Sequence, residues 1–187
     1  ARVTEVLLQQ DMEHCCVTPW SLGQEGEKEH RLKNPKGIAT NSSGEFIVGD
    51  HIDRCVKVFD RNGKFVKHFS LSTDDVNKML FIKDVATDMN DNIFVLTFLT
   101  MGGIEGSWWV YILTKTANLH HKFRLRREES WKKLYRGLSV RDTGKVVTSW
   151  DGRAVEEYDS NGEFVRSFGE EILRYAVDIT VADRKSV

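Results

Sequence analysis

Cysteine, proline and long apolar runs are all scarce in this chain, and each scarcity excludes something. Three cysteines in 187 residues, two of them adjacent as Cys15 and Cys16, make no disulfide framework. A reducing, cytoplasmic setting is expected, where thiols stay free. Two prolines leave no Pro-rich linker to separate a second domain. No apolar run approaches the ~20 residues that span a bilayer as a helix, and Arg2–Met12 lacks the basic-then-apolar layout of a signal peptide. No membrane partner is expected. Neither sign of charge is in excess: the formal net charge is -1, with 40% hydrophobic and 29% charged residues. That is the composition of an ordered domain with a sizeable core.

Catalytic constellations are also scarce. Cys15 and Cys16 are neighbours on a predicted strand, so their side chains point to opposite faces and cannot hold one metal. His120 and His121 fail as a pair for the same reason. Asp50, His51 and Asp53 crowd one short loop, where acidic side chains are expected to accept from backbone amides rather than bind a metal. Asn41-Ser42-Ser43 matches a glycosylation sequon but reads as a tight turn. The glycines are spaced as turn residues, not as a phosphate-cradling loop that opens a helix. No catalytic residue, metal or cofactor is expected.

What the chain does have is internal repetition. Residues 34–69 and 135–168 are two versions of one pattern. Gly37 matches Gly137 and Gly44 matches Gly144, each 100 residues apart, while Arg54, Phe59, Gly63 and Phe69 match Arg153, Tyr158, Gly162 and Phe168 at 99. A weaker copy lies between them. Asp84, Val85, Ala86 and Thr87 match Gly37, Ile38, Ala39 and Thr40 at an offset of 47, which becomes 54 by Val110 and Phe123. The seven extra residues are expected in a loop around 97–107. A fourth copy opens at Asp178.

Each copy reads as four short strands with period-two alternation. Cys55–Asp60 places Val56 and Val58 on one face, with Cys55 and Lys57 on the other. Arg61-Asn62-Gly63-Lys64 is expected to close a hairpin through a type I′ turn, because Asn-Gly accepts positive φ. Four-stranded units repeated at about 40–50 residues are propeller blades. The predicted fold is all-β: a β-propeller of antiparallel four-stranded blades, with the end of a preceding blade over 1–23. Blades over 24–70, 71–125 and 126–169 follow, and a further one starts at 170–187. Ile38, Phe46, Val48, Val56, Val58, Phe59, Phe65 and Phe69 are the predicted core, with Ile93, Val95, Val110, Ile112, Val147, Val155, Tyr158, Phe164 and Phe168 as counterparts.

Pro35-Lys36-Gly37-Ile38-Ala39, the Gly-x-φ-φ-V run ending at Asp50, Arg54, and Val58-Phe59-Asp60 through Phe69 together resemble the NHL repeat. The texture is most similar to the NHL domains of tripartite-motif ubiquitin ligases. That resemblance implies a six-bladed ring, of which this chain would be an incomplete part; joining both ends into one composite blade would instead close a ring of four. An open stack would leave blade edges free for self-association. The resemblance also implies a blade-closing pair between Asp50 and Arg54, and a role in selecting substrates for ubiquitylation. The RING domain that would transfer ubiquitin is not in this sequence.

Charge on loops supplies the candidate site. Residues 120–136 carry seven Lys or Arg against two Glu, interleaved with Trp131 and Tyr135. This stretch, the 24–36 segment and the Asp50–Arg54 loop are expected on one propeller face. Arg31, Lys33, Arg54, Arg126, Arg127, Trp131, Lys132, Lys133, Tyr135 and Arg136 are the candidate binding residues. The favoured partner is a protein that docks on this face. The alternative is single-stranded RNA, with basic residues on phosphates and Trp131 or Tyr135 stacking a base. A third reading is a metal-dependent, lactonase-like or amidating-lyase-like enzyme.

Overall fold

The computed structural model describes Leu22 and residues 30–73, 75, 77–102, 106–126, 135–151, 153–174 and 178–181. Twelve strands form three antiparallel four-stranded sheets. The first holds β1 (Pro35–Thr40), β2 (Phe46–Asp50), β3 (Cys55–Phe59) and β4 (Phe65–Ser70). The second holds β5 (Met79–Thr87), β6 (Ile93–Thr100), β7 (Gly106–Leu113) and β8 (Leu119–Arg124). The third holds β9 (Tyr135–Val140), β10 (Val146–Trp150), β11 (Ala154–Tyr158) and β12 (Phe164–Phe168). Within each sheet the strands follow chain order, and β5 packs beside both β1 and β9. These are blades arranged about a common inner edge. No helix among the described residues is long and apolar enough to cross a membrane.

Blades pack face to face. Ile47, Val56 and Val58 meet Leu80, Ile82, Val85, Val95 and Tyr111 between the first two blades. Phe94, Leu96, Trp108 and Val110 meet Tyr135, Leu138, Trp150 and Tyr158 between the second and third. Burial on both faces explains why β3 is buried at all five positions rather than half-exposed. The predicted core holds in the middle strands but not at the rims. Ile38, Phe164 and Phe168 are 42%, 38% and 43% exposed, and Phe65 and Phe69 are half-buried. They lie in the inner or outer strand of the first and third blades, where a sheet has a described neighbour on one face only.

The turns recur in register. Gly44, Asp91 and Gly144 end the first turn of each blade at φ of 74°, 63° and 77°. Gly63, Ala117 and Gly162 end the third at 80°, 68° and 88°. Asn62 does not share the positive φ of Gly63, so the outer hairpin is not type I′. Gly63 N donates to Asp60 O at 2.9 Å and Asp60 N to Lys64 O at 2.8 Å, a type I turn followed by a left-handed residue. Asp60 fixes this geometry by accepting from Asn62 N and Lys64 N. The seven extra residues of the second blade also fall differently from expectation. They lengthen β6 and β7 to eight residues each, so this blade projects past its neighbours.

Inner strands are latched by alternating Gly and Asp. A Cβ on Gly37 would stand 2.0 Å from Asp84 Oδ1, and one on Gly137 2.9 Å from Asp178 Cα. The Asp84 carboxylate accepts from Val85 N at 2.8 Å and from Leu138 N of the next blade at 2.7 Å. Asp178 repeats the motif by accepting from Ile179 N, and Val181 N donates to Ser139 Oγ.

Candidate functional site

The loops between second and third strands, and the connections entering each first strand, share one face. Asp50 organises it. Wholly buried, it accepts from Lys33 N, Asn34 N, Ile52 N and Asp53 N, as the crowded loop led one to expect. Its ionic partner is Lys57, at 3.2 Å, and not Arg54. Lys57 also donates to Asp53 and to the Arg31 carbonyl. Burial opposes the Lys57 charge, but Asp53 and Asp50 outweigh it and hold its pKa above the usual lysine value. Asp53 resists burial in the same way, through Lys33 and Lys57, and stays below the usual carboxylate range. Lys33 and the Arg31 backbone are therefore structural, tying the entering segment to the loop.

The third blade makes the same tie with inverted charge. Glu156, at the position of Lys57, is wholly buried. It accepts from Tyr135 Oη and Tyr158 Oη, both at 2.6 Å, and from Arg126 Nε at 3.0 Å. Arg126 also lies 3.8 Å over the Phe164 ring, as His30 stacks on Phe65 at 4.0 Å in the first blade. Tyr135 is 1% exposed and packs on Trp108 and Trp150, and burial pushes its phenol pKa up. It is no stacking platform for a base, which corrects the expectation: a strand residue facing the next blade is buried whatever its neighbours' charge. Arg127, Trp131, Lys132 and Lys133 lie outside the described residues, and so do Cys15 and Cys16. Arg136 is the second residue of β9, after Tyr135.

Sequence reasoning overlooked a second cluster at the junction of the first two blades. The projecting end of β5 lays Phe81 over the Asp50–Arg54 loop. His51 stacks on that ring at 5.1 Å, and Arg54 Cζ lies 5.5 Å from its centroid. His51 Nδ1 donates to Ile82 O at 3.0 Å. Burial lowers the His51 pKa, and Lys83 and Lys36 lower it further against the opposing hydrogen bond to Ile82 O. Lys36 and Lys83 stand at matching irregularities of β1 and β5, where register shifts between Lys36 and Ile38 and between Ile82 and Asp84. A Cβ on Gly37 would stand 2.6 Å from Val85 N and 2.8 Å from Asp84 Cα, so the two backbones are in near contact beside these lysines. Burial, then Lys36, lowers the Lys83 pKa. Ile52 and Met101, 57% and 70% exposed, lie in equivalent loops on this face. The offsets of 47 and 100 align Lys36 with Lys83 and Arg136, a signal present in the repeat itself.

No protein-family model matches the chain. Protein brain tumor of Drosophila melanogaster is 23% identical over 167 residues, which make up 89% of this chain and 15% of that protein. A streptogramin B lyase structure superposes with a TM-score of 0.56 and 16% identity, over 80% of this chain and 45% of its own. A catalytically inactive virginiamycin B lyase from Staphylococcus aureus with quinupristin superposes at 0.51 and 12%, over 74% and 43%. The chain thus spans less than half the length of each of these proteins. The similarities show an all-β, propeller-type fold, and the match to brain tumor supports blades of the NHL type.

Proposed function

We propose that this chain is a non-catalytic recognition module whose loop face docks a protein partner. The observation that carries the reading is a mixed patch. Ile52 and Met101 are exposed in equivalent loops of the face that also carries the exposed Arg54 and Lys36 and the half-buried Lys83, and those three cations have no carboxylate partner among the described residues. Apolar anchors within a charged rim are the usual make-up of a docking site. The similarity to protein brain tumor and the NHL texture support a substrate-selecting propeller of the tripartite-motif kind, with any ubiquitin transfer carried out by a RING domain elsewhere. Proximity labelling in cells tests the reading. The double variant Ile52→Glu/Met101→Glu should lose specific partners that Met89→Glu, altered in a turn between first and second strands at the other end of the blade, retains. Equal partner sets in both variants would reject it.

A second reading, single-stranded RNA, is favoured by Phe81 lying beside Arg54 with Lys36 and Lys83 close by. Each phosphate contact should then give a log–log salt slope of about -0.7. Oligouridine binding that loses about 2 units of slope in Lys36→Met/Lys83→Met/Arg54→Met would support it, and no binding at low salt would end it.

A further inference from the structure

The geometry points to the inner-edge mouth of the loop face, at Lys36 and Lys83, as a binding site for a phosphate monoester carried by the docking protein. This rests on the docking reading above.

The first observation is an imbalance. Most cations on this face are paired: Lys33 with Asp53, Lys57 with Asp50 and Asp53, Lys78 with Asp75, Arg126 with Glu156, and Arg153 with Asp151 at the edge of reach, while Arg54 lies against the Phe81 ring. Among the described residues Lys36 and Lys83 have no such partner, although Lys83 is half-buried. A partly desolvated ammonium beside a second one is costly unless an anion joins them.

The second observation is placement. Both lysines sit at backbone irregularities of adjacent inner strands, which meet one residue further on, where a Cβ on Gly37 would stand 2.8 Å from Asp84 Cα and 2.6 Å from Val85 N. Two neighbouring ammonium groups match one doubly charged oxyanion as point charges. His51 is fixed next to them by Ile82 O. Arg136 is the second residue of the third inner strand, at the aligned position.

The third observation separates a single dianion from an extended polyanion. Asp53, Asp75 and Asp151 stand on the surrounding loops, with side chains 18%, 39% and 22% exposed. A nucleic-acid strand crossing the face would run past those carboxylates, whereas one phosphate at the mouth meets the two lysines with His51 beside them.

The test is a backbone amide NMR titration at pH 8, where orthophosphate is a dianion, against sodium chloride at matched ionic strength. Orthophosphate should give saturable shifts centred on Gly37, Lys83 and Asp84. Lys83→Met should weaken binding at least about tenfold and Lys36→Met likewise, while Lys64→Met, at the opposite end of the blade, should not. Lys83→Met and Lys36→Met each remove a charge and keep the stem, and unchanged amide spectra in the absence of phosphate establish folding. O-phosphoserine in a short neutral peptide should compete, and its unphosphorylated form should not. Shifts that match chloride, or that survive both lysine variants, overturn the site. Oligouridine that binds more tightly than the phosphopeptide, with shifts spread across the face, overturns it in favour of RNA. Partners lost in the Ile52→Glu/Met101→Glu variant yet kept in Lys83→Met would leave docking standing with the phosphate site refuted.

Discussion

Asp84 shows how one side chain can carry both architecture and pH response. Its carboxylate is set between blades, against Gly37 and on the amide of Leu138. Burial pushes its pKa up to about 7, while the amides of Leu138 and Val85 pull it down and Asp178 adds to the rise. The folded chain therefore holds this proton longer than the unfolded chain, whose value is near 3.8. Its contribution to stability is full below about pH 4 and is lost as pH rises through about 7. At about 1.4 kcal/mol per pH unit, the loss has a ceiling of ~4 kcal/mol. In urea unfolding across that range, Asp84→Asn should flatten the slope. An unchanged profile would place the titration elsewhere. Lys57 gives a second contrast. Removing it strands a buried Asp50 carboxylate, so Lys57→Met should cost about 3 kcal/mol. Lys33→Met, with a side chain 51% exposed, should cost less than about 1 kcal/mol in the same measurement.

Glycines at equivalent turns of different blades are not equivalent in cost. Gly44 has φ of 74° and no atom closer than 3.9 Å to an added Cβ, whereas Gly162 has φ of 88° and Phe123 Cγ at 2.2 Å. Gly44→Ala should cost about 1 kcal/mol, the conformational penalty alone. Gly162→Ala should cost more than twice as much, because the Phe123 ring must leave the core that it shares with Tyr158. Equal midpoints in thermal unfolding would mean that the hairpin, rather than the ring, gives way. The same elements show what was legible in the sequence. Turn glycines at offsets of 99 and 100 located the first and third hairpins of the first and third blades, since a left-handed φ is a demand that sequence displays openly. The turn type was misread because Asn-Gly suits two geometries, and Asp60, which chooses between them, acts two residues earlier. Of the candidate site, the shared loop face was legible, but Tyr135 and Arg126 were assigned to the surface. Charge density in a segment does not say which side chains turn inward, and only Glu156, hidden in a strand buried on both faces, answers that. Lys36 was counted with the basic group of the loop face, but Lys83, aligned with it by the repeat, was passed over, because a lysine beside an aspartate looks like ordinary surface until two inner strands are set edge to edge.

Across the molecule, stability is distributed by position in the stack. The second blade is the weakest copy in sequence but has a described blade on each side. All eight positions of β6 are buried, and Val95, Leu96, Thr97, Trp108 and Val110 have no exposed surface. The first and third blades each have one such contact, and their outer strands carry the exposed Phe164 and Phe168. In a stack where each unit touches only its neighbours, free energy is the sum of unit and interface terms, so a unit with two interfaces opens last. Hydrogen exchange should therefore run against sequence regularity. Amides of β6 and β7 should be the most protected and should exchange at the global unfolding free energy. Those of β4 and β12 should exchange through smaller local openings. Cutting an interface should move the protection. Trp108→Ala empties the centre of the contact between second and third blades, at a cost of about 3–5 kcal/mol. It should speed exchange in β6, β7, β10 and β11 while leaving β2 and β3 close to their original rates. Phe164→Ala, its ring already 38% exposed, should cost less than about 2 kcal/mol and disturb β11 and β12 alone. If Trp108→Ala instead accelerates every strand equally, the three blades unfold as one cooperative unit, and the additive picture of the stack fails.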